Sequence, residues 1–342
     1  MRLPQARGKA GAAVFDLLAG NVGDSPTGAG DAVTDAVSDS TDILRDDDLQ
    51  LALFVLYELH YRGVDGVDDR WEWHPGLLGV RSIIENAFEE RLREVVPVAA
   101  RPEPTRRTVA DALFALTEAD DGPSLSRYLA NSATDDQLHE FLIQRSIYQL
   151  KEADPHSWAI PRLEGMAKAA LVEIQADEYG GGRPERVHQT IYRDAMDALG
   201  LDPEYGAYAD RAAAITFASM NLMSLFGLHR RLRGAIVGHL AAYEMTSSIP
   251  CRLVSTGFRR NGYDERATRY FDEHVEADAV HEQIAGRDLA GGLVEAEPRL
   301  LDDVMFGASA CLTIDGWMAG HMLESWERGE SSLTHPATVA AA

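Results

Sequence analysis

Basic residues are scarce in this chain. Its 32 lysines and arginines stand against 55 aspartates and glutamates in 342 residues, a formal charge of -23. Nucleic acid and anionic membrane both require basic surface, so neither is an expected partner. An acidic surface is compatible with a cationic or neutral small molecule. Only two cysteines occur, Cys251 and Cys311, too few for a disulfide framework and consistent with a reducing cytosol. No uncharged apolar run is long enough to span a bilayer. The opening MRLPQARGKAGAAVFDLLAG has Asp16 within its weakly apolar run and no clear cleavage site, so no signal peptide is expected and the location expected is cytoplasmic. Internal repeats, a glycine-rich phosphate loop and a flavin or nicotinamide fingerprint are also missing.

The chain does have 45% hydrophobic residues, enough for a substantial core. Alternating Val/Ile/Thr patterns are rare, while long Ala-, Leu-, Glu- and Arg-rich periodic segments dominate. These fall at roughly 108–131, 135–152, 161–179, 184–199, 204–225, 228–248, 263–290 and 296–328. The fold class is all-α, a helical bundle. Residues 1–48 are expected to be a flexible leader, because 19–48 is rich in Gly, Ser, Asp and Thr. Residues 49–105 form a helical N-terminal region whose LALFVLYEL stretch offers apolar surface for a partner. The proline-rich 97–107 marks a boundary before the main domain, 106–330, and 331–342 reads as a disordered tail.

Chemistry concentrates in FDEHVEADAVHE. His274, Asp278 and His281 lie at i, i+4 and i+7, within roughly 60° on one helical face, flanked by Ala267, Phe271 and Ala285. Such a polar stripe between apolar neighbours points inward, where unpaired polar groups are costly. Glu244 shares a face with Val237, Leu240 and Ala241, and Glu178 ends a face carrying Leu171 and Ile174. His188 follows Glu178 by ten residues, across Gly180, Gly181, Gly182 and Pro184, which break any continuous helix and allow the two side chains to converge. Three carboxylates and three imidazoles make the ligand count of a dinuclear non-haem iron or manganese site.

On these residues the chain resembles the haem-oxygenase-like diiron oxidases and oxygenases. That resemblance implies a haem-oxygenase-type helical fold holding two irons, Fe(II) or Fe(III), with dioxygen as co-substrate. It implies that Glu178, His188 and Glu244 hold one iron and that His274, Asp278 and His281 supply the other, with a glutamate bridging. Glu152, 26 residues before Glu178, matches the extra carboxylate of the N-oxygenating, streptozotocin-type branch and would be an additional ligand. No cupin domain follows the helical core, so the N–N bond-forming step of such a cupin is not expected here. The implied activity is N-oxygenation of a small amine, amino acid or guanidine-type metabolite in natural-product biosynthesis. An external electron donor and a homodimer are further expectations.

Rival readings are a diiron oxidase cleaving or desaturating an aliphatic acid, a haem-binding protein and a non-catalytic helical interaction protein. Glu58 and His60 are set aside, since i and i+2 do not share a helical face. His139, His229, His239 and His321 read as surface or satisfied core histidines, Cys251 as a small buried hydrophobe on the Glu244 face, and Trp317 and Met318 as packing.

Overall fold

Helix starts are set by local chemistry. The side chains of Asp46, Thr105, Ser124, Thr134 and Asp264 each accept from backbone N–H groups in the first turn they precede. Thr134 and Gln137 complete a reciprocal capping box. The computed structural model describes residues 1–97, 100–119 and 124–334, except for the side chains of 276–279. Among the described residues no strand forms.

Four helices make the N-terminal region: α1 (Lys9–Ala19), α2 (Thr27–Asp39), α3 (Asp47–Glu58) and α4 (Pro75–Val95). Then come α5 (Arg106–Glu118), α6 (Leu125–Asn131), α7 (Asp135–Gln149), α8 (Asp154–Ser157), α9 (Gly165–Glu178) and α10 (His188–Ala198). The chain finishes with α11 (Ala214–Leu228), α12 (Arg233–Met245), α13 (Ser248–Arg260), α14 (Glu265–Gln283), α15 (Gly292–Ala296) and α16 (Leu301–Glu327). None of the described helices is long and apolar enough to cross a membrane.

α11 and α12 are buried almost throughout and pack on α16. Gly238 and Gly307 make the α12–α16 approach possible. A Cβ on Gly238 would collide with the Val304 carbonyl oxygen, and one on Gly307 with that of Ala235. α13, α10 and α12 pack against α14, which holds the histidine stripe.

The N-terminal expectations need correction. Residues 1–48 are not a free leader in their fold: α1 and α2 form there, with Val14, Leu18 and Val33 buried. The Gly, Ser, Thr and Asp residues that suggested mobility mostly face solvent, while Ala29 and Val33 turn inward to anchor α2, and α1 packs on α2 and α3. Nor does LALFVLYEL require a second copy of the chain, since α3 buries Leu51, Phe54 and Val55 within the chain and packs on α11. That surface therefore gives no support to a homodimer.

Helix boundaries differ too. The 108–131 segment divides into α5 and α6, and residues 204–213 are turns ahead of α11. The expected 228–248 helix stops at Met245, where Thr246 Oγ1 bonds back to the Ala242 carbonyl and Pro250 lies just beyond. After α14 the helix widens into a π-helix over Ile284–Gly291. Of the expected tail, Ser332 is pinned by its N–H and Oγ to Glu140, both at 2.8 Å, and 335–342 lie outside the described residues.

Candidate metal centre

Local backbone geometry brings the candidate residues together. Glu178 is the last residue of α9, and Gly180, Gly181 and Gly182 follow with φ of 69°, 60° and 79°. A Cβ on Gly180 would meet the backbone of Arg186 at 2.6 Å, so only glycine permits this reversal. His188, at the start of α10, thereby returns against Glu178, with Nδ1 2.8 Å from Oε2. Glu152 lies in the turn after α7, just before Ala153, whose φ of 70° makes it the only described non-glycine residue in the left-handed region. Such strain gathers at functional sites. Glu244 lies in the last turn of α12, and α14 contributes His274 and His281.

Two buried groups result: Glu152, Glu178, His188 and His274, and then Glu178, Glu244 and His281. Within each, one donor atom per residue lies within 4.8 Å of every other. His274 Nε2 is 3.6 Å from Glu152 Oε1, and His281 Nδ1 is 3.3 Å from Glu244 Oε2 and 3.9 Å from Glu178 Oε1. Donors about 2.1 Å from a shared octahedral ion stand about 3 Å apart when adjacent and about 4.2 Å apart when opposite. The residues thus fit a pair of metal ions. His188 Nδ1 adds a second sign of fit: it is buried and faces a carboxylate oxygen at 2.8 Å without making a hydrogen bond.

The grouping differs from the expected division. His274 and His281 do not share an ion's neighbourhood, because seven residues separate them by two turns, about 10 Å along α14. His274 falls with Glu152 and His188, His281 falls with Glu244, and Glu178 belongs to both. The Asp278 side chain lies outside the described residues.

Neighbouring groups set the orientation of the imidazoles. The Tyr270 carbonyl lies 2.7 Å from His274 Nδ1 and can only accept, which places that ring's proton on Nδ1 and turns Nε2 toward Glu152. His281 Nε2 lies 3.1 Å from Asp177 Oδ2, leaving Nδ1 toward Glu178 and Glu244. The Tyr270 hydroxyl donates to Glu152, with its oxygens at 2.6 and 2.8 Å. Burial works against charge on His281, but Glu244, Asp177 and Glu178 reverse this and hold it at about 9. Burial likewise lowers His188 while the Glu178 charge more than restores it. Glu244 is raised by burial, against the pull of His281. Burial also disfavours the Glu152 carboxylate, yet His274 and His188 bring it below the usual range.

Glu152, Glu178, Glu244, Tyr270 and His274 line a cavity of about 950 Å³ that also touches α6, α13 and α16. Cys251 belongs to its wall and not to the Glu244 face, since the helix breaks before it. Cys311 and Met318 line it as well, while Trp317 packs under Arg45. The histidines set aside all have partners: His229 meets Glu85, His239 meets His156, His139 meets the Leu199 carbonyl and His321 that of Ser332. Glu58 and His60 do diverge, toward Lys151 and Arg81 respectively. Sequence reasoning missed Tyr270, one turn before His274 on its face, and Asp177, which has no signal beyond adjoining Glu178.

Comparison with known proteins agrees with this architecture. Two crystal structures of a CADD-like protein of unknown function from Nostoc punctiforme share the fold. Their TM-scores are 0.52 and 0.51 and their identities 16% and 15%; the likeness covers 64% and 66% of this chain and 97% of each of those. A nitrosourea synthase of Streptomyces achromogenes subsp. streptozoticus is 25% identical over 186 residues, 54% of this chain. The chain spans only 40% of that relative's length. The profile of the iron-containing redox enzymes matches residues 139–316, which include every residue of both clusters. With more than half of its length matched, the chain belongs to the iron-containing redox enzyme family.

Proposed function

We propose that this protein is a non-haem diiron oxygenase that oxidises a nitrogen of a small amine, amino acid or guanidine-type metabolite. The observation that carries this reading is the pair of buried carboxylate–imidazole groups sharing Glu178 and bordering a cavity of substrate size. Glu152, Glu178, His188 and His274 would hold one ion, and Glu178, Glu244 and His281 the other. Two bound irons would supply the electrons and the dioxygen chemistry that no side chain provides. The chain's own part is to bind, orient and shelter. Tyr270 and Asp177 aim the imidazoles, and Tyr270 also fixes the carboxylate of Glu152. The buried, apolar body of α12, which carries Glu244, helps keep water from the cluster. An external reductant or redox partner would be needed to supply electrons to the irons.

Two supports favour nitrogen as the target. Glu152 is within the first group, where an additional carboxylate was expected, and a relative is named for a nitrosourea, a compound with oxidised nitrogen. The test is anaerobic ferrous titration followed by ¹⁸O₂ and a panel of amines. Two irons per chain and label in an N–O bond are expected. Label found only in carbon–oxygen bonds, or fewer than one tightly bound iron, would remove the proposal. Glu152→Ala is expected to reduce N-oxygenated product at least tenfold, and unchanged product formation would count against the nitrogen reading.

A further inference from the structure

The cavity also carries, on its wall, charge that the two metal groups do not use. Arg145, on α7, and Asp315, on α16, both line it. Their side chains keep 21% and 25% of their surface open, although Arg145 is deeply enclosed by the fold; the exposure is toward the cavity. Arg145 Nη2 donates to the Tyr243 hydroxyl at 2.6 Å. The Gln149 side-chain oxygen, in the amide orientation that satisfies its neighbours, accepts from Nη2 at 3.1 Å and Nε at 3.2 Å. Ser219 Oγ donates to Asp315 Oδ1 at 2.7 Å.

These bonds hold one side of each charged group and leave the other side available. Arg145 Nη1 and Asp315 Oδ2 face each other at 3.8 Å, too far for a hydrogen bond, and neither makes another among the described residues. A guanidinium and a carboxylate that serve only to neutralise each other close to about 2.8 Å. Here each is pinned from behind and held short of closure. The pair offers a donor edge and an acceptor edge, side by side, to whatever enters.

We propose that Arg145 and Asp315 form a recognition site for the zwitterionic head of an α-amino acid, its carboxylate on Arg145 Nη1 and its ammonium on Asp315 Oδ2. A plain aliphatic acid satisfies Arg145 but leaves Asp315 facing its chain, and a simple amine does the reverse. Only a head carrying both charges completes both groups, which favours the amino acid among the substrates considered above. Arg145 lies within α7, which ends at Gln149, and Glu152 follows in the turn beyond it; both line the same cavity. A head held there leaves the side chain to run through the same cavity toward the cluster, with its terminal nitrogen at the metal end. The direction of the chain rests on the function proposed above; the head-group site does not.

The test is calorimetry on the iron-loaded, full-length protein without oxygen, so that binding is read apart from turnover. The probes are L-arginine with agmatine and 5-guanidinopentanoic acid, and L-lysine with cadaverine. Wild type is expected to bind at least one of the two amino acids tenfold or more tighter than its decarboxylated partner. Arg145→Gln should bring that ratio close to one or below, with affinity for agmatine or cadaverine held or raised because Asp315 loses a neighbouring positive charge. Asp315→Asn should remove the preference for L-arginine over 5-guanidinopentanoic acid. No preference in wild type, or a preference that persists in a folded Arg145→Gln or Asp315→Asn protein, overturns the site. If the preference holds but the product carries oxygen on carbon, the nitrogen reading fails and the head-group site stands.

Discussion

Two sets of buried charges in this molecule are resolved in opposite ways. Where the N-terminal helices meet the bundle, each buried carboxylate finds a cation from the chain itself. Glu58 meets Lys151 with both side chains at 0% exposure, beneath the rings of Phe54, Tyr61 and Tyr205. Glu85 gathers Arg81 at 3.1 Å, His229 at 3.0 Å and the Tyr57 hydroxyl at 2.9 Å. At the metal centre, Glu152, Glu178 and Glu244 have imidazoles beside them, and no described lysine or arginine pairs with any of the three. Imidazoles are counterions only while protonated, so these buried carboxylates lack the permanent cation that Lys or Arg would give, and that is expensive. In the first set every carboxylate has a Lys or Arg from the chain, although Glu58 Oε2 and Arg81 Nε make no hydrogen bond among the described residues, and the second has the composition of a site that takes up cations.

That contrast can be broken by substitution. The largest effect is expected from Glu178→Gln, which removes the one carboxylate common to both groups. Ferrous affinity should fall at least about a hundredfold on both sides, and a titration that keeps one tight site would show the groups to be independent. Glu85→Gln should behave in the contrary manner, lowering stability by about 3–5 kcal/mol in urea melts with iron stoichiometry unchanged. Its pH dependence follows from its surroundings. Burial raises the Glu85 carboxyl, but His229 and Arg81 more than offset this and hold it low. Its contribution is therefore full above the ordinary carboxylate range, and the gap between wild type and variant should close as pH falls below about 4. A gap that widens in acid would contradict this.

A more selective effect is expected from Asp177→Ala, which frees His281 Nε2. Affinity should drop about 10- to 100-fold on the Glu244 side alone, and equal losses on both sides would argue against the separate grouping of His281. The smallest is Ala153→Gly. Relief of left-handed strain and loss of a buried methyl group nearly cancel, so thermal melts should differ by less than about 1 kcal/mol. A larger loss would mean that Ala153 does more than turn the chain beside Glu152.

Much of the centre could be read before any coordinates. Periodicity turned Glu244, His274 and His281 inward, and the three glycines indicated that Glu178 and His188 could meet. What periodicity cannot give is distance along a helix combined with the packing of its neighbours. For that reason His274 and His281 shared a face in projection yet separated into different groups. Arg145 and Asp315 carried no signal either, since a lone charge on each of two distant helices becomes a pair only once α7 and α16 are packed. The N-terminal reading failed for a compositional reason: Gly, Ser and Asp make the exposed face of a short helix as readily as a mobile segment, and a few apolar residues such as Ala29 and Val33 suffice to anchor it.

Gly238 and Gly307 have a consequence beyond packing. With no room for even a methyl group where α12 and α16 cross, neither helix is free to slide along the other. Glu244 lies six residues past the first glycine and Asp315 eight past the second, and both reach the cavity wall. The span between them is a ruler whose zero is clamped. If Asp315 holds the head of a guest as proposed, such a wall would sort guests by reach, and inserting one residue between 307 and 315 would swing Asp315 by about 100° and spoil the measurement.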